Sequence, residues 1–260
     1  VETGRDKIAE LAGIPVQDTA GKYVETNLNG AELVKVTANA FLALKISFAN
    51  NIAKLADKAD ANINEIMDAV GADHRIGRAF LNAGRGYGGG CFPKDVSGLI
   101  STSLEHGVAM PIMLAAQEVN DSMPLYIVEQ ALEALGTLKS KRMGVLGLAF
   151  KAGTSDVRSS AAIKIANLLN EYEASVKTYD PFANEEARAD LDKNITIHES
   201  ASEIIEGADA VFVATEWDEF KDIDLAVFKK MRGNLIVDCM NVYQRDKMEQ
   251  AGFNFIGVGT

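Results

Sequence analysis

From Gly30 to about Ala59 apolar residues recur every three or four positions, at Leu33, Val36, Ala40, Leu44, Phe48, Ile52 and Leu55, with no proline and no later glycine. That spacing gathers them on one face of a helix. Roughly 30 residues at a rise of about 1.5 Å span about 45 Å, more than a small domain needs. The surplus apolar face is therefore expected to bury itself against a second copy of the chain. A short helix follows, with Asn62 and Glu65 reading as an N-cap signal, Ile63, Ile66, Met67 and Val70 as its apolar face and Gly71 as its stop. Three more helices are predicted, from Pro93 to about Glu105, from Pro111 to about Val119 and from about Pro124 to Leu138. Residues 28–138 read as all-helical.

The period changes at Lys141. Short apolar runs at Met143–Leu146, Val176–Tyr179, Ala210–Ala214, Leu235–Asp238 and Phe253–Val258 alternate with helical segments at 159–173, 200–206 and 223–231. That alternation predicts βαβ units around a parallel sheet. The fold class is α/β overall: an all-helical domain (28–138), then a Rossmann-like α/β domain (139–260), with residues 1–27 expected to be a linker or the end of a missing N-terminal NAD-binding domain. The first turn of the second domain, Gly144-Val145-Leu146-Gly147-Leu148-Ala149-Phe150-Lys151, only loosely copies a dinucleotide fingerprint: the spacing is wrong and the third glycine is missing. A degenerate Rossmann-like domain is expected.

Composition narrows the partners. The chain has 260 residues, 47% of them hydrophobic, enough to bury a sizeable core. Its net charge of −11 argues against a general nucleic-acid binder, which needs clustered Lys and Arg. Two cysteines in unlike contexts give no disulfide framework, and no uncharged apolar run is long enough to span a membrane. A reducing, cytoplasmic setting is expected. Cys239, in the apolar run 234–239, reads as a packing residue.

Cys91 reads differently. It stands in Gly86-Tyr87-Gly88-Gly89-Gly90-Cys91-Phe92-Pro93-Lys94-Asp95, between a glycine-rich loop and a helix start marked by Pro93. At a helix N-terminus the free N–H groups and the dipole favour thiolate, and Lys94 adds a cation, so Cys91 is a candidate nucleophile. Lys35 and Asn39, four residues apart, share a helix face and either project into a site together or are merely solvated. Asp95, four residues past Cys91, can serve as a first-turn complement to the helix dipole, which leaves a role in the site open beside it.

The Cys91 loop, the helix Ala31-Glu32-Leu33-Val34-Lys35-Val36-Thr37-Ala38-Asn39-Ala40-Phe41-Leu42-Ala43, and Gly147-Leu148-Ala149-Phe150-Lys151 with Thr154, Asp156 and Arg158 resemble the UDP-glucose/GDP-mannose dehydrogenase family. So do Tyr179-Asp180-Pro181, the stretch Ala214 to Phe220, and Asn241-Val242-Tyr243. The resemblance implies an NAD-dependent oxidation of a UDP-sugar C6 alcohol to a carboxylate, and a homodimer through the helical domain. It assigns Cys91 to a thiohemiacetal and then a thioester, Lys35 to the C6 oxyanion, and Asn39 with Asp95 to the hydrolytic water. It places Phe80, Leu81, the whole loop from Asn82 to Gly88 with Tyr87 in it, Phe150 and Lys151 at the sugar nucleotide, Arg75 in the neighbouring subunit's site, and Lys94 and Arg158 at NAD. GDP-mannose, a UDP-N-acetylhexosamine, and a non-catalytic oligomerisation or binding module are the alternatives. Two departures stand out. Asp238-Cys239-Met240-Asn241 carries methionine where the family has a ligand-binding arginine, and no glycine fingerprint of an N-terminal NAD domain occurs, so the chain is expected to be inactive alone.

Overall fold

The structure, a computed structural model, describes residues 26–260; the expectation for residues 1–25 lies outside the described part. By its contacts the chain divides into a unit ending at Ala38 and one running from Asn39 to Thr260. The described part of the first holds the opening turns of α1 (Leu28–Ala59), where Asn27 Oδ1 accepts the otherwise unpaired Gly30 N–H at 2.8 Å.

In the second unit α1 continues, followed by α2 (Ile63–Gly71), α3 (Phe92–Glu105) and α4 (Pro111–Leu135). The α1 stripe does not face inward as a block. Its buried positions are small, among them Ala40, Ala43, Ala49, Ala53 and Ala56, whereas Phe41, Phe48 and Leu55 are exposed. Close backbone approach explains the choice: Gly259, at φ +75°, leaves only 2.7 Å between a hypothetical Cβ and the Ala53 Cβ. Asn62 caps α2 by accepting the Asn64 N–H at 2.9 Å.

The two helices expected at Pro111 and Pro124 are one. Pro124 removes a single i→i−4 bond, but the turns on either side bury Ala116, Asn120, Met123, Ile127, Val128 and Ala131, and that packing carries the helix through. It ends at Gly136, which takes the left-handed φ of +71° and donates to the Leu132 carbonyl.

Six parallel strands form the sheet: β1 (Arg142–Leu146), β2 (Ser175–Tyr179), β3 (Thr196–Ile197), β4 (Ala210–Val213), β5 (Leu235–Asp238) and β6 (Asn254–Gly257), in the order β3-β2-β1-β4-β5-β6. This is the doubly wound order, with its switch point between β1 and β4. The helices between strands are α5 (Ala161–Glu171), α6 (Asn184–Ala187), α7 (Ala201–Ile205), α8 (Asp218–Lys221), α9 (Leu225–Phe228) and α10 (Arg245–Gln250). The two-residue β3 and the one-turn helices α6 and α8 are too short to show a period in the sequence.

Alternation divides the core. Met143, Val145, Val176, Phe212 and Val237 face Ile165, Ala166 and Leu169 of α5, and the same apolar cluster runs on through Met123, Ile127 and Val128 of α4 to Ala53 and Met67. Leu146, Val211, Val213 and Ile236 face Ile204, Phe228 and Met248 on the other side. Each fully buried Val, Leu, Ile, Phe or Met among them contributes about 1.5–3 kcal/mol. Among the described residues no helix is long and apolar enough to cross a membrane.

Candidate active site

Cys91 is the N-cap of α3, with φ −102° and ψ −65°, and its thiol is exposed and makes no capping bond. Pro93 stands in the first turn, where its missing N–H costs nothing. One turn on, the Asp95 carboxylate is buried and accepts the Asn39 amide at 2.6 Å through Oδ2, while Lys94 bonds its Oδ1. The bond to Asp95 holds the exposed Lys94 ammonium above its ordinary pKa, with a smaller push from Cys91. Lys35 lies four residues before Asn39 on α1 and is exposed. Asn39 and Asp95 are thus joined directly, with Cys91 one turn before Asp95 at the start of the same helix.

The glycine run is a docking surface for protein. A Cβ at Gly88 would stand 2.5 Å from the Ser159 carbonyl, one at Gly89 2.7 Å from the Phe150 ring and one at Gly90 2.5 Å from the Arg158 guanidinium. The Gly89 N–H donates to the Arg158 carbonyl at 2.8 Å. Phe150 and Arg158 belong to the long loop between β1 and α5, which the missing side chains let close onto the Cys91 loop. Lys151 Nζ lies 5.6 Å from the Phe150 ring centre. Arg158 is paired with Asp156 at 2.6 Å, which raises the guanidinium above its ordinary pKa, with a smaller push from Cys91.

Other sequence candidates are placed less uniformly. Phe80 is exposed at φ +65° with its ring 6.1 Å from Phe92, and Asn82 is exposed and accepts from Arg78 at 2.7 Å. The Leu81 and Tyr87 side chains are buried in their own chain, so they offer a ligand backbone more than side chain. Arg75 is exposed and folded back onto Asp73 in a two-pronged pair.

Of three residues that hold the Cys91 loop, Asn50 and Asn120 escaped the sequence reading, and Arg85 was expected only as part of the ligand loop 82–88. Asn50 Oδ1 accepts the Gly84 N–H at 2.8 Å, and Asn120 Oδ1 accepts the Tyr87 N–H at 2.7 Å. Both are buried amides inside otherwise apolar helix faces, and that is the signal by which they could have been found. The third is Arg85, 1% exposed, whose Nη2 donates to the carbonyls of Ala149 (2.9 Å) and Phe150 (3.0 Å) and to Thr215 Oγ1 (3.2 Å), with Ser160 Oγ 3.4 Å from Nη1. Burial pulls its pKa down, and Glu216, Cys239 and Asp180 push it back. The tail motifs also meet: Asp180 accepts from the N–H groups of Leu148, Ala149, Phe182 and Ala183 and from the Trp217 indole. Met240, in place of the arginine that the resemblance expects, packs against Gly84.

Residues 29–122 match the UDP-glucose/GDP-mannose dehydrogenase family, central domain, and residues 144–245 match that family's UDP binding domain. The chain belongs to the UDP-glucose/GDP-mannose dehydrogenase family. Within it, the chain is 39% identical over 237 residues to UDP-glucose 6-dehydrogenase TuaD of Bacillus subtilis, covering 91% of this chain and 51% of TuaD. It is 38% identical to the UDP-glucose 6-dehydrogenase of Rickettsia prowazekii, covering 95% of this chain and 57% of the relative. The structure resembles a UDP-glucose dehydrogenase from Pyrobaculum islandicum with a TM-score of 0.84 at 38% identity, over 98% of this chain and 57% of the other. A UDP-D-ManNAc dehydrogenase from Pyrococcus horikoshii superposes with a TM-score of 0.80 at 31% identity, over 98% and 58%. The chain thus spans little more than half the length of the dehydrogenases it matches.

Proposed function

We propose that this chain carries the covalent and sugar-nucleotide half of a UDP-glucose 6-dehydrogenase, and that residues 28–138 also pair two copies through the exposed Phe41, Phe48 and Leu55. The observation that carries the reading is an exposed, uncommitted thiol at a helix start, one turn from a buried carboxylate held by an amide. Cys91 sulfur adds to the C6 aldehyde to give a thiohemiacetal, and Lys35 stabilises the negative oxygen. The C6 hydrogen then leaves as hydride to NAD⁺, the proposed two-electron acceptor, and the oxygen's proton goes to solvent, so that C6 becomes an acyl thioester. Water positioned by Asn39 and Asp95 adds to that carbonyl, the C–S bond breaks, and carboxylate and free thiol remain. Lys151, beside Phe150, faces the diphosphate, with backbone of the loop 80–88 along the sugar and Arg75 reaching across to the second copy.

A dinucleotide does not fit at the switch point of this sheet. Gly147, at φ +97°, would put a Cβ 2.4 Å from Thr215, Gly144 makes room for Ile204 of α7, and the Arg85 guanidinium fills the space beside the N-cap of α5. The chemistry assigned to this chain is therefore the part its own residues perform.

The test is protection. Millimolar UDP-glucose is expected to slow iodoacetamide labelling of Cys91, followed by intact mass, while buried Cys239 stays unlabelled. Unchanged labelling together with no calorimetric binding overturns the reading. GDP-mannose and UDP-ManNAc in the same assay decide the sugar.

A further inference from the structure

In a doubly wound sheet the crevice at the carboxyl ends of the two strands flanking the switch point, beside the N-terminus of the first helix, is where a nucleotide phosphate rests. Here a protein cation lies in it. Arg85 reaches from the Cys91 loop to the carbonyls of Ala149 and Phe150 after β1, to Thr215 after β4, and toward Ser160, the N-cap of α5. Thr215 Oγ1 itself donates to the Ala149 carbonyl at 3.0 Å, and Ser160 Oγ to the Leu148 carbonyl at 2.6 Å, so the walls of the socket are also tied to each other without Arg85. Glu216 and Asp180 supply the opposing charge. The loop runs on past Gly86, which lies against Asn120, to Gly88, Gly89 and Gly90, which dock on Ser159, Phe150 and Arg158, and ends at Cys91.

We infer that Arg85 is a positioning residue. By plugging the switch-point crevice it fixes the Cys91 loop against the Phe150–Lys151 loop, and so sets where the thiol stands relative to the cations around it. An arginine suits this post because its planar fork can donate to several acceptors in fixed directions, which a lysine cannot copy. The role bears on the proposed function but does not depend on it, since the reactivity of the Cys91 thiol can be measured without any sugar nucleotide.

The experiment compares this chain with Arg85→Met, Arg85→Ala and Thr215→Val, reading the rate of Cys91 alkylation and the urea midpoint of each. Arg85→Met keeps apolar volume in the crevice, and Thr215→Val removes one partner of the guanidinium with little change of shape. In Arg85→Met, release of the loop from Arg158 is expected to slow alkylation about three- to tenfold, because an exposed thiol reacts according to the positive charge around it. Thr215→Val should move the rate in the same direction by less. Adding millimolar guanidinium to Arg85→Ala should restore a large part of the wild-type rate, which a purely structural loss would not allow. Folded Arg85→Met and Thr215→Val chains that alkylate at the wild-type rate overturn the inference, as does a slowed Arg85→Ala chain that guanidinium leaves unchanged. Should Arg85→Ala fail to fold, the other two variants decide. Failure of UDP-glucose to protect wild-type Cys91 counts against the proposed function alone.

Discussion

Gly89 and Gly153 form a matched pair, because their backbones have nearly the same φ, +81° and +80°, but only Gly89 has a neighbour where a Cβ would go. An alanine at either position adopts a left-handed conformation that costs about 1–2 kcal/mol, partly offset by about 0.4–1 kcal/mol from the stiffer unfolded chain. For Gly153→Ala nothing else changes, since no heavy atom lies within 4 Å of the added carbon. At Gly89 the new carbon meets Phe150 Cε2 at 2.7 Å and Cδ2 and Cζ at 2.9 Å, so the ring or the loop must move. Overpacking of that kind adds about 1–3 kcal/mol. Urea unfolding followed by circular dichroism is expected to show a loss of about 1 kcal/mol for Gly153→Ala and about 2–4 kcal/mol for Gly89→Ala. At about 2–4 °C per kcal/mol the two should differ visibly in thermal midpoint as well. Phe150→Ala in the Gly89→Ala background should recover about 1–2 kcal/mol as a coupling term. Losses equal within about 0.5 kcal/mol, or no coupling to Phe150, would refute the claim that the glycines exist to let the two loops close.

Asn39→Ala removes a hydrogen bond to the buried Asp95 carboxylate and should cost about 1.5–3 kcal/mol in urea; no change in midpoint contradicts that. Burial pushes the Asp238 carboxyl up to about 6, against about 3.9 in an unfolded chain. A carboxyl raised in the fold favours folding below about pH 4 and gives that up as pH rises through about 6, so wild type minus Asp238→Asn should gain about 1.4 kcal/mol between pH 7.5 and pH 5.0. A pH-independent difference refutes it. Phe41→Glu and Phe48→Glu, both exposed on α1, should halve the mass seen by light scattering while sparing the thermal midpoint, and a wild-type chain that is already monomeric removes the pairing proposal.

Strands β1, β4 and β5 were legible as apolar runs buried on both faces, β2 and β6 as short segments with one buried face, and the N-cap place of Cys91 followed from Pro93 and the glycines before it. Burial along α1 was not legible. Periodicity finds the apolar stripe but cannot tell which side a neighbour approaches, and the core took the alanines while Phe41 and Phe48 stayed outside. The break expected at Pro124 failed for a related reason: local chemistry signals the lost bond, whereas the packing that holds the helix together comes from residues far along the chain. Arg85 was expected at the ligand with the rest of its loop, and its inward role was not legible because its partners are backbone carbonyls and hydroxyls 64 to 130 positions away, which leave no local spacing to read.

The stretch 123–143, which falls between the two family matches, looks like a connector and behaves as a weld. Met123, Ile127, Val128, Ala131, Leu138 and Met143 all sit inside the apolar cluster shared by α1, α2 and the sheet. A gene cut within it would strip both pieces of the same interior, so each alone would expose an oily surface and precipitate. Heating the intact residues 39–260 should accordingly give one sharp heat-absorption peak rather than two, and a lineage that inherited one of these modules without its companion would have had to rebuild this seam.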